Sequence, residues 1–173
     1  MAPIGLAGNN PNQYAYVKDV NSWLDKFGLN VEYYPLDSQG RATGGIAEVN
    51  NSTLGSGTKA GLYDPPGWQG GAHPYHQERG HLIARNHGGS GTDPRNIVTI
   101  TDGTNHPGMT RFENSVTRHV RSGNTVLIEV TPNYSGNNPI PDSINMYAID
   151  QNGNVIADTT VQNGLRKNTA CCN

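Results

Sequence analysis

"HQERGHLIARNHGG", residues 76–89, packs three histidines and two arginines around the apolar run Leu82-Ile83-Ala84 and closes on a glycine pair. A zinc knuckle would need cysteines or better-spaced histidines, and a plain core histidine needs no arginine two residues away. "GHLIAR", residues 80–85, reads as a short buried strand. With the chain extended, Arg79 and His81 point to the same face. "NHGGSGTDPR", residues 86–95, reads as a loop and "NIVTIT", residues 96–101, as a second strand. Residues 106–123 read as a helix. Pro107 sits near its start, Gly123 just past its end, and Met109, Phe112, Val116 and Val120 keep helical spacing. Strand, loop, strand and helix, with His81 on the first strand, is the unit that decides the fold.

Outward from this unit the pattern stays mixed. "NVEYYPL", residues 30–36, and "ATGGIAEVN", residues 42–50, read as strands about the turn "DSQGR". Residues 51–71 read as loop and 124–134 as a strong strand. Residues 144–158 read as a hairpin whose Asn152-Gly153 suits a type I′ turn. The chain of 173 residues is sized for one domain, and its 34% hydrophobic content with 22 glycines and 11 prolines favours a loop-rich α+β fold over a helical bundle. No apolar run approaches the roughly 20 residues that span a bilayer, and no basic-then-apolar leader opens the sequence. The adjacent Cys171 and Cys172 read as a free-thiol tail, since two thiols cannot complete a zinc site.

The net charge of −2 conceals a division along the chain. Residues 71–123 hold Arg79, Arg85, Arg95, Arg111, Arg118 and Arg121 against Glu78, Asp93, Asp102 and Glu113, with no lysine. All six histidines lie there too. Planar guanidinium forks match phosphate oxygens. Cleaving a phosphodiester needs an in-line nucleophile, a base, and positive charge on the phosphorane and leaving oxygen. His81 can be that base. Asn105 offers an amide oxygen suited to Mg²⁺, and Glu113, two turns further on, could hold the metal's waters. Arg85 and Arg118 are candidate phosphate contacts, with a solvent-facing role equally open. His73, His76 and His87 read as loop-surface residues.

These positions resemble the DNA/RNA non-specific endonucleases, nucleases with a ββα-metal active site and the signature Asp-Arg-Gly-His. The resemblance covers roughly residues 68–123, including "GWQGG" and "NIVTIT". It implies an α+β domain with an antiparallel sheet and a metal-bearing helix. It assigns His81 as general base, Arg79 as signature arginine, Asn96 as the intermediate asparagine, Asn105 as metal ligand and Glu113 as the helical glutamate. Mg²⁺ or Mn²⁺ is the implied cofactor, and DNA, with RNA as a further substrate, is the implied target. Glu78 departs from the family's aspartate. His81, Asn96 and His106 also spell an HNH order, in which His106 would bind the metal. Arg79-Gly80 before His81, and Glu113 eight residues after Asn105, favour the first reading. A domain that binds nucleic acid or a partner without cutting is the alternative of a different class.

"PIGLAGNNPNQYAYVKDVNSWLDKFGL", residues 3–29, resembles the end of an Rhs/YD-repeat core, in which a toxin domain follows a final Gly-Leu. Gly28-Leu29 fits, with Trp23 and Asp25, while Lys26 replaces the usual proline. The resemblance implies a linker over 1–29 and a nuclease toxin domain over 30–173. It further implies an Rhs shell around the toxin and a dedicated immunity protein. The expected setting is a secreted or delivered effector acting in the target-cell cytoplasm, without a membrane-bound role.

Overall fold

In "VLIEVTPN" the period of two puts Val126, Ile128 and Val130 on one face of a strand, and all three are buried, with Leu127 and Glu129 buried on the other. Their cross-strand partners Val49, Ala47, Ala148 and Met146 are buried with them, so a sheet forms with one apolar face. The computed structural model describes residues 30–72 and 74–166; the expected linker, His73 and the cysteine tail lie outside them. Within that range run β1 (Val31–Tyr33), β2 (Gly45–Val49), β3 (Gln77–His81), β4 (Ile97–Thr101), α1 (Thr110–Arg121), β5 (Val126–Asn133), β6 (Ser143–Asp150) and β7 (Val155–Gln162). Five strands make an antiparallel sheet in the order β1-β2-β5-β6-β7, while β3 and β4 form a separate antiparallel ribbon. The fold is α+β, the ribbon and α1 giving the ββα unit.

One core joins the parts. Met109, Phe112, Val116 and Val120 of the helical segment meet Ile128, Ile144 and Met146 of the sheet and Val98 and Ile100 of the ribbon. The opposite arc of α1, with Arg111, Asn114, Arg118 and Arg121, is exposed.

Three local expectations need correction. The strand expected over 80–85 lies upstream, at Gln77–His81. After His81 the backbone is claimed by Asn96: Leu82 N–H donates to the Asn96 carbonyl and Ile83 N–H to its Oδ1, which ends the ladder while Leu82 and Ile83 stay buried. The regular helix begins at Thr110 rather than His106. His106 is extended (φ −131°, ψ 109°) because the residue before a proline is pushed out of the helical region, so Thr104–Met109 forms an irregular, kinked turn. The β6–β7 connection is not type I′, which needs positive φ at both central residues. Gly153 has φ 84°, but His76 is the only described non-glycine with positive φ. Gly153 N–H donates to Asp150 O, and Asp150 Oδ1 accepts the amides of Asn152 and Asn154.

Gly80 shows why an Arg-Gly-His stretch needs its glycine. It lies on the ribbon face turned to the core, and a Cβ there would sit 2.2 Å from Ile100 Cδ1. Only a bare Cα lets the flanking Arg79 and His81 project from a strand pressed so close to Ile100.

Candidate active site

The register of the ribbon sorts the polar side chains. Arg79 pairs with Thr99 and His81 with Ile97, so these share a face; Glu78 and Gly80, opposite Ile100 and Val98, take the other. The first face meets the loop of residues 51–72. Gln77 holds that loop, accepting from Gln69 N–H and donating to the Gly67 carbonyl, and Thr99 Oγ1 donates to the Pro66 carbonyl. The second face turns toward the kinked segment before α1.

His81 ends β3 with Nε2 2.8 Å from the Thr58 carbonyl. A carbonyl only accepts, so Nε2 carries the proton in the neutral ring and the Nδ1 lone pair stays available. Burial lowers the imidazole pKa below its ordinary value, the Thr58 bond raises it, and the nearby Arg85 guanidinium lowers it further. Burial and Arg85 thus favour the neutral ring.

Arg79 sits over Trp68, its Cζ 4.5 Å from the ring centroid, and its Nε and Nη2 bond Asp64 Oδ1 at 3.1 and 2.5 Å. Asn96 is fully buried; its Oδ1 accepts from Ile83 N–H, and its Nδ2 donates to the carbonyls of Ile83 and Ser90. Those bonds clamp the chain just past His81.

Across the ribbon, Asn105 Nδ2 donates to Glu78 Oε2 at 2.5 Å, leaving the amide oxygen of Asn105 without a hydrogen bond among the described residues. Glu113 stands in the first turn of α1, and burial pushes its carboxyl up to about 7. His106 is exposed, with Nδ1 2.8 Å from Thr110 Oγ1. The extended backbone at His106 gives the two neighbours different surroundings. Arg85 and Arg118 are exposed and form no ion pair among the described residues. The structure thus joins Asn105 to Glu78, and Asn96 to the residues after His81. No described hydrogen bond links His81 to Asn105, Glu113 or Arg79.

No group of three or more His, Cys, Asp or Glu side chains among the described residues could hold a metal. A site built on one amide oxygen with carboxylates behind it would contain no such group. Glu78, Asn105 and Glu113 offer only oxygen donors, which suits a hard cation such as Mg²⁺ or Mn²⁺ better than a soft one.

Sequence reading missed Glu78 as a partner of Asn105, and Thr58, Asp64 and Trp68 as partners of His81 and Arg79. The last three come from a loop up to 23 residues upstream and carry no local pattern. His87 was expected at the surface but is buried. Its Nε2 lies 2.9 Å from Thr117 Oγ1, and its Nδ1 has no hydrogen bond among the described residues. Burial drives its pKa down to about 4, the nearby Glu113 carbonyl raising it slightly. The bulky ring fills the join between the loop after β3 and α1.

The family model for DNA/RNA non-specific endonuclease matches residues 21–152. Among solved structures, the fold resembles NucA from Streptococcus agalactiae with magnesium bound. That match has 21% identity, a TM-score of 0.68, and covers 78% of this chain and 72% of that one. It also resembles the Sda1 nuclease with bound zinc, at 21% identity and TM-score 0.62, covering 78% and 73%. An extracellular endonuclease matches at 19% identity and TM-score 0.59, covering 79% of each chain. No curated protein matches.

Proposed function

Because this chain belongs to the DNA/RNA non-specific endonuclease family, a family of nucleases, we propose that it hydrolyses phosphodiester bonds of DNA, and of RNA, with a divalent cation and little base readout. The observation that carries this reading is the Thr58 carbonyl on His81 Nε2, which fixes a neutral tautomer with a free Nδ1. In this reading Nδ1 takes the proton from a water placed in line with the scissile bond. Arg79 meets the phosphate, and Asn96 holds His81 in place through the chain behind it. Asn105 would hold Mg²⁺ or Mn²⁺ by its amide oxygen, with Glu78 and Glu113 binding the water around it. A cation bound there supplies positive charge to the phosphorane and the leaving oxygen.

Asn105 is preferred to His106 as the ligand because its amide is oriented by Glu78, whereas His106 is exposed and held to Thr110. Arg85 and Arg118, exposed and without an ion pair among the described residues, extend the positive surface for further phosphates. Backbone contacts of this kind position a nucleic acid without reading its sequence. The NucA structure carries magnesium and the Sda1 structure zinc. Magnesium is preferred here for the all-oxygen donor set.

The setting we propose is that of an antibacterial toxin. Residues 1–29 are the end of an Rhs shell, 30–173 the toxin delivered to a target-cell cytoplasm, and an immunity protein protects the producer. The Gly28-Leu29 boundary before the site supports this reading, although the family match begins at residue 21. The test is expression in a bacterium of the full chain, of residues 30–173, and of the His81→Ala protein. The first two should kill and degrade plasmid, chromosome or RNA, and His81→Ala should do neither. Equal killing by all three would overturn the reading, and with it would stand a binding domain that does not cut.

A further inference from the structure

The least expected contact at the site is the one made by Arg79. Its guanidinium sits over the Trp68 ring and already holds an anion, the Asp64 carboxylate, through Nε and Nη2. This pair is built into the fold. Asp64 sits on a loop fixed on one side by the Thr58 carbonyl on His81 and on the other by Gln69 and Gly67 on Gln77. Asp64 bonds nothing else among the described residues, and its side chain is 60% exposed against 28% for Arg79. It is thus an anion held in place by its loop yet open to exchange with solvent. A carboxylate oxygen accepting from a guanidinium makes the same charge-assisted bond as a non-bridging phosphate oxygen.

We propose that Asp64 is a built-in competitor for the phosphate on Arg79, a latch that nucleic acid must displace before the arginine engages the backbone. The inference rests on the nuclease reading and adds to it a residue that sets substrate affinity. Trp68 keeps the guanidinium plane in place through the exchange, so Arg79 trades one acceptor for another without leaving its seat. The latch weakens binding to short or sparsely charged ligands most, because they bring few other phosphates to offset the exchange. Long polyanions engage Arg85 and Arg118 as well and open it readily.

The test measures affinity for a short fluorescein-labelled DNA, by anisotropy in EDTA so that no turnover occurs. The proteins are wild type, Asp64→Asn, Arg79→Ala and the double variant. Asp64→Asn should tighten binding about 1.5- to fivefold, the range an exposed ion pair commands. Arg79→Ala should weaken it, and adding Asp64→Asn to Arg79→Ala should change nothing further. In steady-state cleavage with Mg²⁺, Asp64→Asn should lower KM without raising kcat. Asp64→Ser, which also removes the charge, should behave alike and guards against a misfolded first variant. Affinity that is unchanged or weaker in both Asp64 variants overturns the latch, leaving a structural pair. So does an equal gain with and without Arg79, which is removal of a repulsive surface charge. If wild type cleaves while these outcomes hold, only the latch has failed. If wild type neither binds nor cleaves with any divalent ion, the nuclease reading has failed and the latch with it.

Discussion

Replacing Asn96 by alanine tests the clamp behind His81 with a magnitude that the structure fixes. Asn96 has no exposed surface, and its amide serves three backbone groups: Ile83 N–H at 2.8 Å, the Ile83 carbonyl at 3.0 Å and the Ser90 carbonyl at 2.8 Å. Truncation strands the two Ile83 groups in buried surroundings and leaves the Ser90 carbonyl part-buried. A buried group left unsatisfied costs about 1–3 kcal/mol, and the part-buried Ser90 carbonyl costs least. The sum is about 4 kcal/mol, which for a domain of this size is a fall in Tm of about 8–16 °C. Asn96→Asp should do no better. It keeps the acceptor for Ile83 N–H but turns a buried negative oxygen toward two carbonyls. The assay is thermal unfolding of the three proteins, followed by cleavage rates at a temperature where all remain folded. Turnover should fall in both variants, since the chain leaving His81 loses its anchor. A Tm within about 3 °C of wild type would refute the clamp.

Other substitutions probe the rest of the site. Gly80→Ala puts a methyl into Ile100 and should cost about 1–3 kcal/mol, read as a lower urea midpoint at unchanged m. Asn105→Ala should weaken Mg²⁺ binding, measured by calorimetry, and cleavage far more than His106→Ala; the reverse order would establish the HNH reading. His87 has a folded pKa lowered to about 4 from its ordinary 6.5, so it contributes stability that is present above 6.5 and lost as pH falls toward 4. Glu113, raised to about 7, gains stability over much of the same window, so the readout is a difference. In urea unfolding of the metal-free protein, wild type should lose up to about 3 kcal/mol relative to His87→Leu, and parallel curves for the two would place the acid sensitivity elsewhere.

Local patterns in this chain were readable because burial is periodic. The period-two spacing of Val126, Ile128 and Val130 in β5 and the helical spacing of Met109, Phe112, Val116 and Val120 match the faces that join the core. The strand carrying His81 was misplaced because Leu82-Ile83-Ala84 looks like a strand core. In fact a side chain from residue 96 replaces the ladder, and burial without pairing leaves no signature in sequence. His106 shows the same limit at the helix start, where Pro107 could be read as a first-turn residue or as the cause of the kink it makes. His87 looked like a loop histidine because its burial depends on Thr117, 30 residues away. Asp64 and Thr58 were invisible for that reason too. A loop without periodicity shows what it touches only when folded.

The central claim is that His81 acts as the base of a metal-dependent phosphodiester hydrolysis. The most direct measurement is the rate of plasmid nicking by wild type and by His81→Ala, each with Mg²⁺ and with EDTA, alongside the Tm of both proteins. Wild type should cleave and EDTA should abolish that cleavage, while His81→Ala should be slower by about 10²–10⁴-fold with an unchanged Tm. A folded His81→Ala protein that turns over near the wild-type rate would contradict the claim.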